Sequence, residues 1–194
     1  METFNITAGV LKAAALCAPA KEDSRSYLNG VHIARTFDGR IAVTGTDGHV
    51  LFRYVLGERV SKAFPEEGVI IPINTVRGIK ASKSQLGLPV LVAIDGSDSV
   101  MAFQATGARL MFTPLAGQYP STVGLWPEDV DPGLPAIYVD PALVKRAVDA
   151  LSFTNADWAF RYSKECMFLS SKNRVAHAIV MGMRRNNEYS RPIF

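Results

Sequence analysis

The sequence predicts an α+β fold of three β-α-β-β-β units, in which antiparallel sheets carry one helix per unit on one face. Three observations predict it. Helix-capping residues recur at Thr7, Asn74 and Asp140, spacings of 67 and 66 residues, and near-constant spacing marks a repeated supersecondary unit. A short extended piece precedes each cap, and three β-rich runs follow each helix. The residues between those runs suit tight hairpins, which pair neighbouring strands antiparallel.

Unit one opens with residues 4–6 and a helix over 8–17, capped by Thr7, whose side-chain oxygen satisfies an orphan backbone N–H. Strands over 27–36, 40–46 and 50–56 follow, with Asp38-Gly39 as the first turn. Unit two opens with 69–73 and a helix over 75–82 capped by Asn74. Its strands are 89–94, 100–105 and 109–113, with turns at Asp95-Gly96 and Thr106-Gly107. Unit three opens with 136–139 and a helix over 141–151, capped by Asp140 with Pro141 at the first helical position. Strands over 158–162, 166–170 and 175–183 complete it, with Lys172-Asn173 as a turn. Four prolines from Pro120 to Pro135, with acidic residues among them, mark a linker before unit three. The expected division is one domain of two units over 1–127 (1–66 and 67–127), a third, half-domain unit over 128–184, and a loose tail over 185–194.

Composition excludes several classes. The 194 residues are 48% apolar, enough for a substantial core and unlike a disordered chain. Met1-Glu-Thr-Phe lacks the basic region of a signal peptide, and no apolar run approaches the ~18 residues of a membrane span, so a cytoplasmic protein without membrane contact is expected. Cys17 and Cys166 form no Cys-x-x-Cys pair and read as two buried thiols. A net charge of +3 does not by itself indicate nucleic acid.

No phosphate-binding loop, His-Glu-x-x-His or Gly-x-Ser-x-Gly motif occurs, so neither a cofactor nor a metal is expected, nor enzymatic activity. His32 and His177 fall inside expected strands and read as structural. Asp47-Gly48-His49 has no partner at a spacing that would complete an acid–base or metal site. It reads as a tight turn in which Gly48 takes a backbone conformation that a side chain would forbid. Leu28, Val50 and Leu51 flank that turn, and the last strand supplies Met181 and Met183, whose flexible thioethers suit either an adaptable peptide surface or plain core. Each helix region carries cations, with Lys21 and Arg25 just beyond the first. On the third helix Val144, Ala147, Val148 and Leu151 form the core stripe and turn Lys145, Arg146 and Asp149 outward. Such charge reads as a phosphate-binding surface or as an ordinary solvated face.

Several blocks resemble one family. Tyr27-Leu-Asn-Gly-Val-His-Ile33 followed by Val43-Thr-Gly-Thr-Asp-Gly-His49 and Leu51 is similar to the Leu-Asn-Gly and Ala-Thr-Asp-Gly-His-Arg-Leu pattern of the bacterial sliding clamp, the beta subunit of DNA polymerase III. Val69-Ile-Ile-Pro72, Gly117-Gln-Tyr-Pro120 with Trp126-Pro127, and Val180-Met-Gly-Met-Arg184 resemble later blocks of that family, in its order. The resemblance implies a DNA-clamp fold and a bacterial or phage-encoded processivity factor. It implies helices facing duplex DNA through Lys12, Lys21, Arg25, Arg77, Lys80, Lys83, Lys145 and Arg146. It further implies a pocket for short peptides of a DNA polymerase, clamp loader or repair protein, formed by Leu28, Thr46, Gly48, His49, Val50, Leu51, Pro120, Leu125, Ile179, Val180, Met181 and Met183.

The chain departs from the family at Val50, where arginine is usual, and at Gly182, where proline is usual. Clamp rings of the family total twelve units, so four copies of three units would supply a tetrameric ring. The alternative expectation is a clamp-like interaction protein that binds such peptides, or clamp partners, without encircling DNA.

Overall fold

The computed structural model describes residues 2–61, 64–95, 99–122, 125, 137–154, 158–162, 166–171 and 175–183. The proline-rich stretch 126–135, the tail 184–194 and the turn residues Gly96, Asp98, Lys172 and Asn173 lie outside them.

The first unit comprises β1 (Glu2–Thr7), α1 (Ala8–Cys17), β2 (Gly30–Arg35), β3 (Arg40–Thr46) and β4 (Val50–Arg59). The second comprises β5 (Val69–Pro72), α2 (Ile73–Gly78), β6 (Pro89–Ile94), β7 (Ser99–Phe103) and β8 (Ala108–Phe112). The third comprises α3 (Pro141–Ser152), β9 (Trp158–Tyr162), β10 (Cys166–Ser171) and β11 (Ala176–Met181). All strand pairs are antiparallel, and the α+β class holds. Gly39 and Gly107, with φ of 84° and 69°, close the hairpins that the sequence marks.

The units are not self-contained. β1 leaves its own unit and pairs with β6, giving a four-stranded sheet in the order β1-β6-β7-β8. β5 makes the reciprocal move onto β2. β4 then joins β11 of unit three, so the second sheet runs β5-β2-β3-β4-β11-β10-β9. One continuous core fills the space between the sheets and the helices.

α1 explains how that core closes. Its sequence, Ala-Gly-Val-Leu-Lys-Ala-Ala-Ala-Leu-Cys, is apolar nearly all round, and almost all of it is buried. Thr7 caps it as expected, accepting from Val10 N. Small side chains let its backbone lie directly on β3: a Cβ at Gly45 would sit 1.9 Å from Ala14 O.

Three local expectations are corrected. The second helix starts at Ile73, not after Asn74, because Pro72 stays paired with Gly30 and the Ile73 N–H donates to Asn29 O at 2.9 Å. It ends at Gly78, since Ile79 turns extended to enter the core, and Lys80 and Lys83 therefore lie beyond it. The strand expected from residue 27 begins only at Gly30. Asn29 bridges the backbone of Asp23 through both side-chain atoms (2.8 Å each) and bends the chain into a 3-10 turn at Ser26–Leu28. Finally, of the opening strand expected over 136–139, residue 136 lies outside the described residues and residues 137–139 join no ladder among them. Tyr138 O instead accepts from Met183 N at 2.7 Å.

Both expected structural histidines sit in strands. His32 Nε2 donates to Glu67 O at 2.9 Å and its ring stacks on Tyr119. His177 stacks on Phe168. Both cysteines are buried, and burial pushes the Cys17 thiol up to about 12. No helix among the described residues is long and apolar enough to cross a membrane.

The contact between α1 and β3 yields a test. Gly45→Ala destabilises the fold by ~1–3 kcal/mol or more, because neither backbone can retreat. Gly57→Ala, whose added Cβ meets nothing within 4 Å, stays within about 0.5 kcal/mol. Paired denaturant titrations measure both.

Candidate partner-binding pocket and basic groove

The turn from β3 to β4 is built by its own polar side chains. Asp47 Oδ1 accepts from His49 N and Val50 N at 2.9 and 3.0 Å. Thr46 Oγ1 donates to Val50 O at 2.8 Å and accepts from Gly48 N at 3.0 Å. Gly48 takes φ 91°, as the sequence requires. The result is a rigid elbow rather than a mobile loop tip.

Beside this elbow lies a cavity of about 290 Å³. Its walls come from Leu28 after the first helix, from Thr46, Gly48, His49, Val50 and Leu51 at the elbow, from Pro120 and Leu125, and from Ile179 and Met181 on β11. These residues are scattered from 28 to 181 in sequence. The β4–β11 seam brings them together by placing Ile179 opposite Leu51. Leu51 and Ile179 pack with Cys166 and Phe168 in a cluster separate from the main core. Pro120 is positioned from behind: Tyr119 is buried against Leu28 and Ile70, and Leu115 N donates to Ile70 O.

Two expected pocket residues are not in this wall. Val180 is fully buried in the main core, because successive residues on β11 face opposite sides. Met183 is 53% exposed and lies past the end of β11. Four other residues line the cavity: Arg25, Tyr27, Ser121 and Thr122. Tyr27 and the Pro120 segment stood in the motifs already quoted, so their neighbours were within reach of sequence reasoning. Arg25 was assigned to the DNA-facing set instead. It folds back on Asp23 at 2.8 Å and donates to Asp47 O at 3.2 Å, which puts it on the pocket rim.

A second cavity, of about 630 Å³, opens between the three helices. Lys12, Arg77, Lys80 and Arg146 converge on it around an apolar floor that includes Leu16, Val76 and Phe153. Lys12 Nζ donates to Ala81 O and Arg77 Nη2 to Pro19 O, which fixes where these stems run. Lys21 and Lys83 are exposed outside the cavity lining. Lys145 pairs with Asp149 one turn along α3.

Arg146 does not point outward as the helical pattern suggested. Its guanidinium crosses to the C-terminal end of α1, donating to Leu16 O at 3.0 Å and Ala18 O at 3.3 Å. These are carbonyls that a helix end leaves without intrahelical partners, and α1 has no basic residue in its own last turn. The same guanidinium meets Asp47 Oδ2 at 2.6 Å, with the two side chains 27% and 15% exposed. One arginine therefore ties α3, α1 and the elbow of the pocket together. Burial alone would raise the Asp47 pKa. The N–H groups of Val50 and His49 and the Arg146 guanidinium outweigh it and hold the carboxyl below its ordinary value.

That pair makes stability pH-dependent. Its folded-state pKa is depressed, so its contribution is present above the ordinary 3.8 and is lost as pH falls through the lower folded value. Asp47→Asn keeps the Oδ1 acceptor but removes the charge that Arg146 meets, and costs ~1–3 kcal/mol at pH 7. The gap between variant and wild type closes as pH drops below that value, which urea titrations between neutral and acid pH measure.

No family model matches the sequence, and no curated protein is detectably similar to it. Solved structures are similar in fold. The DNA polymerase III subunit beta of Pseudomonas aeruginosa superposes with a TM-score of 0.67 at 16% identity, covering 95% of this chain and 67% of that one. The subunit from Borrelia burgdorferi, in complex with a natural product, gives 0.70 at 14% identity, over 95% and 64%. A sliding clamp from Bartonella birtlesii bound to griselimycin gives 0.65 at 15% identity, over 95% and 66%. This chain thus spans about two thirds of the length of the structures it matches. With its antiparallel sheets and exchanged first strands, the chain has the fold of the bacterial sliding clamps.

Proposed function

We propose that this chain is a DNA sliding clamp, a processivity factor that tethers polymerase or repair partners through the pocket at the β3–β4 elbow. The observation that carries this reading is a division of surfaces. Cations gather between the helices on one side of the long sheet, and an apolar cavity opens at Leu51 and Ile179 on the other. Duplex DNA is held by sequence-independent phosphate contacts from Lys12, Arg77 and Lys80, with Lys21, Lys83 and Lys145 around them. A partner's peptide ending in apolar residues lays them into the cavity, and Val50 and Gly182 adjust which peptide fits best. Residues 1–127 act as a two-unit domain and 128–184 as a half-domain. Four copies supply the twelve units of a closed ring.

A second reading has its own observation. Arg146 is spent on Asp47 and the end of α1, and Lys145 on Asp149, which lowers the charge left for DNA. On that reading the protein keeps the peptide pocket and acts as an interaction module that does not encircle DNA. Retention on nicked circular DNA, with release on linearisation, separates the two. A ring is retained and the module is not.

A Gln-Leu-x-Leu-Phe peptide binds the wild-type protein, and Met181→Asp abolishes binding while the circular dichroism spectrum is unchanged. No binding at about millimolar peptide, ~4 kcal/mol of affinity, removes the pocket from both readings. DNA affinity falls as salt rises. Lys80→Ala lowers the slope of log affinity against log salt by about one, the signature of a single lost phosphate contact.

A further inference from the structure

We propose that a second copy of this chain supplies the strand missing beside β9, by a reciprocal exchange of residues 137–140. The inference concerns the interface of the ring proposed above but rests on the sheet alone.

Units one and two show how this fold closes a unit. Each sends its first strand to the other: β1 pairs with β6, and β5 with β2. The register follows one rule. The helix-capping residue that ends the travelling strand lies opposite the first residue of the receiving strand, as Thr7 opposite Pro89 and Pro72 opposite Gly30. Among the described residues, unit three has neither half of this exchange. β9 ends the sheet with one neighbour, β10, and residues 137–140 join no ladder.

The segment is nonetheless placed as a travelling strand. In unit one the outer side of β1 is held by the end of the unit's own last strand, where Asn5 N donates to Glu58 Oε2 at 3.2 Å and Ser61 bonds to Glu2. In unit three Tyr138 O is held by Met183 N, just past β11. Ile137 and Val139 pack on the core while Tyr138 faces out, the period-two alternation of a strand. Its own β9 is out of reach, because two strand spacings separate β11 from β9, about 10 Å.

The register rule then sets Asp140 of one copy opposite Trp158 of the other. Val139 meets Ala159, and Tyr138 meets Phe160. Those two aromatics are each 45% exposed in the single chain. In the first two units the pair one step beyond the cap is hydrogen-bonded, as Ala8 N to Leu88 O and Ile73 N to Asn29 O. Counting back, the Tyr138–Phe160 pair is a non-hydrogen-bonded one. Side chains approach closest at such pairs, and the Tyr138 carbonyl points away from the paired strand and keeps Met183. Pro141 has no N–H, so the terminal bond of the other units is absent and the ladder begins at Val139. The long sheet becomes β5-β2-β3-β4-β11-β10-β9 plus the visiting strand, capped alike at both ends.

The test uses the 194-residue chain without DNA. Sedimentation should give at least twice the 21.1 kDa chain mass at about 100 μM, well above a micromolar dissociation constant. Phe160→Lys, at an exposed position, should weaken association about tenfold, because the exchange counts the aromatic pair twice. Tyr138→Cys and Phe160→Cys chains, mixed and oxidised, should form a disulfide-linked heterodimer, while neither variant alone does. A monomer at that concentration overturns the proposal, as does a dimer without the mixed cross-link. A Tyr138→Cys/Phe160→Cys double variant that closes its bridge within one chain overturns it too. A cross-linked dimer that fails to be retained on circular DNA rejects the clamp reading and leaves the exchange standing.

Discussion

Asp47 and Arg146 meet at 2.6 Å where three elements converge, and that contact ties the elbow of the apolar cavity to the helices of the basic groove. The carboxylate has two duties: one oxygen closes the elbow by accepting from His49 N and Val50 N, and the other receives the guanidinium. The arginine in turn donates to carbonyls at the end of α1 that lack intrahelical partners. Without this bridge the elbow would still turn, but it would lose its charge-assisted tie to α3 and α1. A charge-assisted bond shielded on both sides is strong enough for that task, unlike the solvated Lys145–Asp149 pair on the same helix.

Around this bridge the fold solves a packing problem by trading strands. A lone β-α-β-β-β unit has one helix and a sheet edge it cannot cover. Exchanging β1 and β5 gives each sheet a strand from the other unit and merges two small cores into one. The alanine-rich α1 can then be buried on nearly every side, with Gly45 leaving room on β3 for the Ala14 carbonyl. Among the described residues, β9 is the edge of the long sheet that has no such exchanged strand.

The proposed function rests on separating two kinds of surface with one sheet. The apolar cavity depends on the β4–β11 seam, so it exists only because unit three docks on unit one. The basic groove depends on the same docking, since Arg146 and Phe153 come from or just after α3 while Lys12 and Arg77 come from α1 and α2. On the proposed function, a partner's peptide and a polyanion would therefore not compete for a side chain, since the two linings share none.

The sequence by itself determined the order of helices and hairpin strands, the caps at Thr7 and Asp140 and the elbow at Gly48. All of these are local: capping oxygens, period-two alternation and positive φ act over a few residues. It also marked most of the pocket wall, because the elbow and β11 carry their motifs contiguously. Tertiary structure decided the rest. Strand exchange was not legible, since β1 and β5 have the same pattern whichever sheet receives them. Pro72 rather than Asn74 began α2 because a ladder bond from Ile73 to Asn29, 44 residues away, outweighed a local cap. Val180 left the pocket through strand alternation once the core had chosen its face. Arg146, outward by helical periodicity, turned inward because the end of α1 and Asp47 offered it partners that no helical wheel contains.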